Sequence, residues 1–366
     1  MARAQGARVP AQLQKRGRPR PEVGLGRPRG RPRARAAEPS AVAVDAETLA
    51  RWRRSPFSFI REALRHPDTL EPIQLYPKQQ AWLTAGFTPD LNGKLPCPEV
   101  LMLAPKKSGK SFCNALAILY TVVVLGGRRA EGYVLANDLH QAASRVFQAC
   151  CELVAASPVL RDHVAMTSTR IDFPATGSFI EALAADAAGA AGANPTCISF
   201  DEIWGIEHAR AKRLFAEMVP VPTRPVSVRV STSYPGFLGQ SPVLEELHRR
   251  GLRGDEVSPG IFRSKRMVMA WFKEAVSPLQ DAEWYEQMRE QLGEAEYRRM
   301  VLCEFVSSSS LFLSSEEWDA VEDRNLRPIL AAKPMPVWVG VDASVKHDST
   351  AIAVCTYDTA MQKVRL

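Results

Sequence analysis

The sequence comprises 366 residues, of which 46% are hydrophobic, and it carries a formal net charge of +7. This size and apolar content are sufficient for one large domain or two smaller ones. No apolar run reaches the roughly 18 residues that a membrane-spanning helix needs, and the N-terminus lacks the apolar stretch of a secretory signal. The seven cysteines show no metal-type spacing, which is typical of reduced thiols in a cytoplasm. We therefore predict a cytoplasmic protein that contacts no membrane.

The positive charge is concentrated near the N-terminus. Residues 1–40 have a net charge of +9, and the remaining residues sum to −2. This segment is rich in Arg, Pro and Gly and has too few apolar residues to fold alone, so we predict a disordered basic tail. Lys15–Pro19 and Pro28–Pro32 are similar to AT-hooks, whose Arg side chains follow a narrow A·T-rich minor groove. Contact with phosphates without sequence preference and a mistaken start codon are the alternatives.

The body of the chain begins with helical periodicity. Residues 41–66 show this periodicity up to a break at Pro56, and Ile73–Phe87 form a second predicted helix. Val100–Ala104 has the composition of a buried strand. The apolar run that starts at Phe112 is long enough for a buried helix, so the predicted order is strand, short loop, helix.

The loop between this strand and this helix, Ala104–Ser111, matches the P-loop pattern, with Ala104 in place of the first glycine. A P-loop surrounds phosphate with backbone N–H groups at the start of a helix. Gly109 would let the backbone approach the phosphate, Lys110 would reach the β- and γ-phosphates, and the Ser111 hydroxyl would hold Mg²⁺. A basic loop before a core helix is the alternative.

Strands and helices alternate in the middle of the chain. We predict a strand at 131–137, an amphipathic helix at 138–157, a hairpin formed by 169–173 and 178–185, and a flexible loop at 186–195. These elements separate the P-loop from the next group of polar residues.

A buried strand at 196–205 ends in two carboxylates, Asp201 and Glu202. In P-loop ATPases an apolar strand beside the P-loop strand ends in an Asp that supports Mg²⁺, and a following Glu can polarise the attacking water. An acidic loop after a strand is the alternative. The next strand, at 225–236, carries hydroxyls near its end that could sense the γ-phosphate. They belong to Ser231, Thr232 and Ser233.

The C-terminal segment 337–354 contains a strand that ends in Asp342 and a second strand that pairs with it. A strand, an acidic residue and a hairpin form the start of an RNase H-like nuclease, in which carboxylates bind two metal ions about 3.5–4 Å apart. We predict Asp342 as the first metal ligand and Asp348 as an assisting one. Only two strands of this fold are predicted, so we expect an incomplete nuclease site in a fragment or a truncated product.

The order and spacing of these motifs resemble the large subunit of tailed-bacteriophage terminases, the motors that package DNA. The resemblance covers roughly residues 45–366. It rests on the segments "LYPKQQ", "APKKSGKS", "CISFDE", "VSTS" and "VWVGVDASVKHDSTAIAV". In that family these are the adenine-contacting segment, Walker A, Walker B, the coupling motif and the start of the nuclease.

The resemblance implies a role for each matching residue. Tyr76 and Gln79 would contact adenine, and Asp201 and Glu202 would be the Walker B acid and the catalytic base. The phosphates would be bound by Ala104, Lys106, Lys107, Ser108, Gly109, Lys110 and Ser111. Hydrolysis would be coupled to movement by Ser231, Thr232 and Ser233. The family often carries Arg at the position of Lys106. Lysine keeps the positive charge of this arginine but lacks its planar, fork-shaped guanidinium group.

The implied fold is α/β, a RecA/ASCE-like P-loop NTPase with a mainly parallel sheet flanked by helices, followed by the first strands of an RNase H-like domain. The expected division is a tail at 1–40, the ATPase domain at 41–254, a lid and linker at 255–333 and the start of the nuclease at 334–366. The cofactors would be ATP and Mg²⁺, with Mg²⁺ or Mn²⁺ for a complete nuclease. The partners would be double-stranded DNA, the small terminase subunit and the portal protein, with a homo-oligomer assembled on the portal in the bacterial host cytoplasm.

Two other functions are compatible with parts of this pattern. A superfamily-2 helicase also has a glutamine segment, a P-loop and a "DE" motif, but it needs a second RecA-like domain, and only about 100 residues separate the coupling motif from Asp342. A non-enzymatic DNA-binding protein could act through its basic tail, but Lys110, Ser111, Asp201 and Glu202 are all present.

Overall fold

The computed structural model describes residues 44–136, 143–184, 192–206, 208–307, 320, 336–342, 351–359 and 362–365. The predicted basic tail, residues 308–319 and 321–333 of the expected lid and linker, and Asp348 lie outside this part of the chain. Within it, no helix is both long and apolar enough to cross a membrane.

The described residues form helices and strands close to those predicted. The helices are α1 (Ala46–Arg54), α2 (Pro56–Ala63), α3 (Pro77–Phe87), α4 (Lys110–Tyr120), α5 (Gln148–Ala156), α6 (Ala209–Glu217), α7 (Pro242–Gly251), α8 (Ala282–Gln291) and α9 (Glu294–Met300). Short π-helical turns follow α4 and precede α5, at Thr121–Leu125 and Ala143–Phe147.

The strands form two sheets. They are β1 (Glu99–Leu103), β2 (Glu131–Ala136), β3 (Ala165–Met166), β4 (Arg170–Phe173), β5 (Ser178–Ala184), β6 (Cys197–Asp201), β7 (Val228–Ser233), β8 (Asp255–Ser258), β9 (Ile261–Arg263), β10 (Met267–Trp271), β11 (Trp338–Asp342), β12 (Ala351–Asp358) and β13 (Lys363–Arg365).

The first ten strands make one sheet in the order β3-β4-β5-β2-β6-β7-β1-β10-β9-β8. The central six strands, from β5 to β10, run parallel, and the antiparallel pairs lie at the two edges. The central strands are continuous apolar runs because helices cover both of their faces. This confirms the predicted α/β fold with a mainly parallel sheet.

The hydrophobic core consists of one cluster on each face of this sheet. In β1, Val100 and Met102 join the cluster that contains helices α1 to α5, whereas Leu101 and Leu103 join the cluster that contains α6 and α7. All four side chains are inaccessible to solvent. The alternation of side chains along each strand therefore fixes the register of the sheet between two helical layers.

The strand that carries Asp201 does not lie beside the P-loop strand, contrary to the prediction. β7 lies between β6 and β1 and pairs in parallel with both. The register opposes Asp201 to Thr232 and Leu103 to Ser233. The hydroxyl-bearing strand is thus the direct link between the acidic strand and the P-loop.

The sheet also extends past residue 254, where we placed the end of the ATPase domain. β10 pairs with β1 over its whole length, and β8 and β9 continue the same sheet. Residues 255–271 therefore belong to the sheet and not to a lid. The apolar run Met267–Trp271 is buried against β1, a long-range pairing that local sequence patterns do not reveal.

The C-terminal strands form a separate antiparallel sheet in the order β11-β12-β13. Asp342 is the last residue of β11 and pairs with Ala351, as expected for an acid at a strand end. A third strand, β13, adds to the two that were predicted. Apolar side chains of this sheet are exposed, including Val341 at 62% and Ile352 at 67%.

Candidate nucleotide-binding site

The P-loop connects β1 to α4 at the carboxyl edge of the parallel strands. Its backbone is held at the start by a hydrogen bond from Ala104 N to Ser233 O at 3.2 Å. At its end Gly109 has φ +77° and precedes the first residue of α4. A Cβ at this position would lie 2.7 Å from Gln79 Nε2, so the loop needs glycine for both conformation and space.

Lys110 begins α4 with its ammonium group buried beneath the loop. Its Nζ donates to the carbonyl oxygens of Ala104 and Pro105 at 3.1 and 2.9 Å, and it lies 5.3 Å from the centre of the Tyr234 ring. Burial lowers the pKa of Lys110, while the nearby Glu202 carboxylate acts in the opposite direction. The cation is therefore placed where a phosphate group could replace the carbonyl oxygens as its partner.

The P-loop serine and the strand-end acid meet directly. Ser111 Oγ donates to Asp201 Oδ2 at 2.7 Å, and Thr232 Oγ1 donates to Asp201 Oδ1 at 2.7 Å. Asn114 of α4 donates to Thr232 Oγ1 at 3.0 Å and accepts from Ser199 Oγ at 2.8 Å. A single hydrogen-bond network thus joins α4, β6 and β7 at one edge of the sheet.

Glu202 follows Asp201 in a left-handed conformation, with φ 51° and ψ 50°. Its side chain is only 11% exposed; Oε1 pairs with Arg145 Nη1 at 3.4 Å, and Oε2 accepts from Trp204 Nε1 at 2.8 Å. Burial raises the pKa of Glu202, and the charges of Lys110 and Arg145 lower it. A non-glycine residue in this conformation is typical of strained functional sites.

Tyr76 and Gln79 lie beside the P-loop, but Gln79 already has partners. Its Oε1 accepts from Tyr76 N at 3.0 Å in a capping box, and its Nε2 donates to Ser108 O at 3.0 Å. Both residues line a cavity of about 490 Å³ that also borders Gly109 and Phe112. The position is suitable for the base of a nucleotide, while the amide of Gln79 supports the loop itself.

The remaining predicted P-loop and strand-end residues differ in exposure. Lys106 and Lys107 are exposed, and Lys107 has φ 66°. The Lys106 backbone is fixed on both sides, because its N–H donates to Met300 O at 2.7 Å and its carbonyl accepts from Gln280 Nε2 at 2.9 Å. Ser108 and Ser231 are buried, and among the described residues their hydroxyl oxygens have no partner.

The structure does not bring the predicted nuclease residues together with this site. Asp342 ends β11 in the C-terminal sheet, and Asp348 lies outside the described residues. The part of the chain that the structure describes contains no group of three or more His, Cys, Asp or Glu residues that could hold a metal ion.

Sequence reasoning missed several residues of this site. Asn114 could have been found, because it is the one polar amide in the apolar run that forms α4. Arg145, Trp204, Tyr234 and Gln280 carry no local signal, since only the fold brings them to the P-loop.

No protein-family model matches the sequence. No curated protein matches it either. Solved structures do match. The large terminase of bacteriophage HK97 aligns with a TM-score of 0.56 at 16% identity, covering 84% of this chain and 65% of that one.

Two further structures are similar at lower scores. The large terminase of a thermophilic bacteriophage in complex with ADP has a TM-score of 0.47 at 10% identity, covering 78% of this chain and 65% of that one. The large terminase ATPase domain of Thermus phage P74-26 has a TM-score of 0.46 at 17% identity, covering 65% of this chain and 96% of that one. This chain spans 65% of the length of the HK97 protein, and it shares the fold of that large terminase.

Proposed function

We propose that this chain is the ATP-hydrolysing motor subunit of a phage terminase and that it drives double-stranded DNA into a procapsid. The observation that carries the proposal is the hydrogen bond between Ser111 and Asp201. It unites a P-loop and a Walker B acid that are 90 residues apart in sequence. If the two segments were only a basic loop and an unrelated acidic loop, the hydrogen bond between Ser111 and Asp201 would have no explanation.

The residues of the site fit a nucleotide with Mg²⁺. The Ser111 hydroxyl and the Asp201 carboxylate are hard oxygen donors at the right place to hold Mg²⁺ together with water and phosphate oxygens. Lys110 is a buried cation at the helix start, and the Ser108 hydroxyl, which has no partner in the part of the chain that the structure describes, could donate to a phosphate oxygen. The cavity beside Tyr76 and Gln79 has room for the base. Bound Mg²⁺ would neutralise charge on the phosphates.

Glu202 is the proposed general base. Its carboxylate lies next to the Walker B acid, and its pKa is raised by burial, which makes it a better proton acceptor than an exposed carboxylate. In this role it takes the proton of the attacking water and orients that water. Lys110 stabilises the charge on the phosphates, and the exposed Lys106 can add a second positive charge.

The fold shared with the HK97 large terminase supports the motor assignment over a helicase. Thr232 is the proposed coupling residue, since it bonds to both Asp201 and Asn114 and lies between the acidic strand and the P-loop strand. The small terminase subunit and the portal protein are the proposed partners, with a homo-oligomer on the portal as the working assembly.

Binding and turnover of ATP test the assignment. We expect Lys110→Ala to lose ATP binding, because the phosphates lose their buried cation. Glu202→Gln should keep ATP binding and lower the turnover about 100-fold or more, as is typical for a removed general base. Equilibrium binding and steady-state hydrolysis with Mg²⁺ measure both effects. Lys94→Ala, an exposed change in the loop before β1, is the control. Hydrolysis by Glu202→Gln at the parental rate would refute its role as the base.

We also propose that Asp342 and Asp348 belong to a metal-dependent nuclease site. Two carboxylates alone bind Mg²⁺ or Mn²⁺ weakly, because these ions need several oxygen ligands. We therefore expect that Asp342 and Asp348 by themselves do not support useful cleavage of plasmid DNA, even with Mn²⁺. Robust cleavage that persists in Asp342→Ala would show that the nuclease site lies elsewhere.

A further inference from the structure

Arg299 of α9 is buried in a cage of aromatic rings. It is 3% exposed, and its guanidinium carbon lies 4.7 Å from the ring centre of Trp204, 5.2 Å from that of Tyr234 and 4.6 Å from that of Phe237. Its Nε and Nη2 donate to one oxygen of Glu296, at 3.3 and 2.7 Å. Its Nη1 is buried and has no partner among the described residues.

Burying the Arg299 guanidinium in this way lowers the stability of the fold. Removing a guanidinium from water is unfavourable, and the Nη1 group without a partner among the described residues adds to this cost. The hydrogen bonds to Glu296 and the attraction between the cation and the three rings offset part of it. An apolar side chain could fill the cage without the cost, so the charge itself needs an explanation.

Two of the three rings also contact the proposed catalytic groups. Trp204 Nε1 donates to Glu202 Oε2 at 2.8 Å, and Lys110 Nζ lies 5.3 Å from the centre of the Tyr234 ring. The Trp204 and Tyr234 rings are stacked, with centres 5.6 Å apart and an angle of 25° between their planes. Arg299 therefore contacts two rings that in turn contact Glu202 and Lys110.

The backbone of Trp204 is fixed by hydrogen bonds, so a contact made by its ring can affect the position of Glu202. Its backbone N–H donates to Ser233 Oγ at 3.1 Å, and its carbonyl accepts from Ser241 Oγ at 2.7 Å. A Cβ at Gly236 would overlap Ser241 Oγ, so glycine at this position lets Ser241 approach. The backbone of Trp204 is thus fixed on both sides, and the guanidinium of Arg299 packs against its ring.

The same helix also contacts the P-loop. The residue after Arg299, Met300, accepts from Lys106 N at 2.7 Å, and Gln280, which precedes α8, donates to Lys106 O at 2.9 Å. The last turn of α9 thus contacts the P-loop through Met300 and approaches Glu202 through Arg299 and Trp204.

We propose that Arg299 is a positioning residue that acts through Trp204, which stacks on Tyr234, to hold Glu202 in its reactive arrangement. Hydrolysis thereby depends on the position of α9, a helix that carries none of the nucleotide-binding motifs. This inference rests on the proposed ATPase function. It predicts a specific loss of turnover, whereas a purely structural role predicts a loss of stability with binding and turnover reduced together.

The test compares Arg299→Met, Arg299→Lys and Trp204→Phe with the parent. The control is Arg298→Met, which removes the exposed neighbouring arginine that pairs with Glu304 at 2.9 Å. For each variant the turnover number, the ATP affinity and the melting temperature are measured. We expect Arg299→Met and Trp204→Phe to lower kcat about tenfold or more, the loss of one hydrogen bond to a charged group, while ATP affinity changes less than about twofold. Arg299→Lys should recover part of kcat, because an ammonium keeps the attraction to the rings.

Three results would overturn the inference: parental kcat in either Arg299→Met or Trp204→Phe, a fall in kcat matched by an equal fall in ATP affinity, or the same fall in Arg298→Met. Should Arg299→Met fail to fold, Trp204→Phe decides the question, since it removes the indole N–H and keeps an aromatic ring. Glu202→Gln in parallel separates the two claims: an inactive Glu202→Gln beside a fully active Trp204→Phe refutes the positioning role alone. An active Glu202→Gln refutes the proposed base and the positioning role together.

Discussion

Gly109 shows how strictly a single residue is constrained at this site. With φ +77° and a side-chain position only 2.7 Å from Gln79 Nε2, any Cβ would strain the backbone and displace the glutamine. We expect Gly109→Ala to lose ATP binding, because the loop can no longer present its N–H groups to a phosphate. We also expect it to lower the free energy of unfolding by about 1–3 kcal/mol. Equilibrium ATP binding and denaturant unfolding measure the two effects.

Gly93 provides a matched control for this prediction. It also has φ +77°, but a Cβ there would meet nothing within 4 Å. Gly93→Ala should therefore cost only the conformational part of the unfolding free energy and leave ATP affinity unchanged. Equal effects of the two substitutions on ATP binding would show that the contact with Gln79 is not important.

At the scale of single residues, the sequence predicted where the residues of the candidate site lie better than it predicted what each side chain contacts. The spacing of Gly109, Lys110 and Ser111 identified the loop, because a P-loop is a local motif. The contacts of Gln79 were not predictable, since the same side chain can close a capping box, support the loop or contact a base. Trp204 was unpredictable for a similar reason: its importance depends on a helix almost 100 residues later.

At the scale of elements, a buried ion pair joins two central strands of the sheet. Arg229 of β7 opposes Glu99 of β1 and donates to its Oε1 at 2.6 and 2.9 Å, while Arg250 pairs with the other oxygen at 2.8 Å. Arg229 and Glu99 are almost fully buried. The pair lies at the start of β1, at the opposite end from the P-loop.

We expect Glu99→Gln to lower the free energy of unfolding by about 3–5 kcal/mol, because it leaves two arginines facing each other without a carboxylate. Glu217→Gln is the control, since solvent screens its exposed pair with Arg213 on α6 and its loss should leave the free energy of unfolding nearly unchanged. Denaturant unfolding measures the difference. Both folded variants should keep the parental turnover; a specific loss of hydrolysis in Glu99→Gln would link this end of the sheet to the reaction.

Most elements were predictable because their periodicity is local, and the order of the strands was not. The runs that became β1, β6 and β7 were recognised as buried strands, yet nothing in them shows that β7 lies between the other two. β10 was assigned to a lid because its pairing with β1 joins segments more than 160 residues apart. Register and order come from long-range packing, which a single sequence does not display.

At the scale of the whole molecule, the excess positive charge and the proposed nucleotide site lie in different parts of the sequence. The proposed nucleotide site and its supporting contacts lie between residues 76 and 300, within a body whose net charge is close to zero. The excess of positive charge lies in residues 1–40, outside the described structure. With the proposed function, this charge distribution predicts that attraction to DNA comes mainly from the N-terminal segment, whereas hydrolysis takes place at the sheet.

Deleting residues 1–40 tests this separation. The segment contains ten Arg and one Lys, and each phosphate contact that it makes releases counterions. We expect the deletion to weaken binding to duplex DNA and to flatten the plot of log affinity against log salt, by a slope of about 0.9 for each lost contact. Basal ATP turnover should stay within about twofold of the parent, because no residue of the nucleotide site is removed. An unchanged salt slope would show that the segment does not engage DNA. Equal affinities of the parent for A·T-rich and G·C-rich duplexes, with the slope still flattened by the deletion, would assign the contact to phosphates and reject the minor groove.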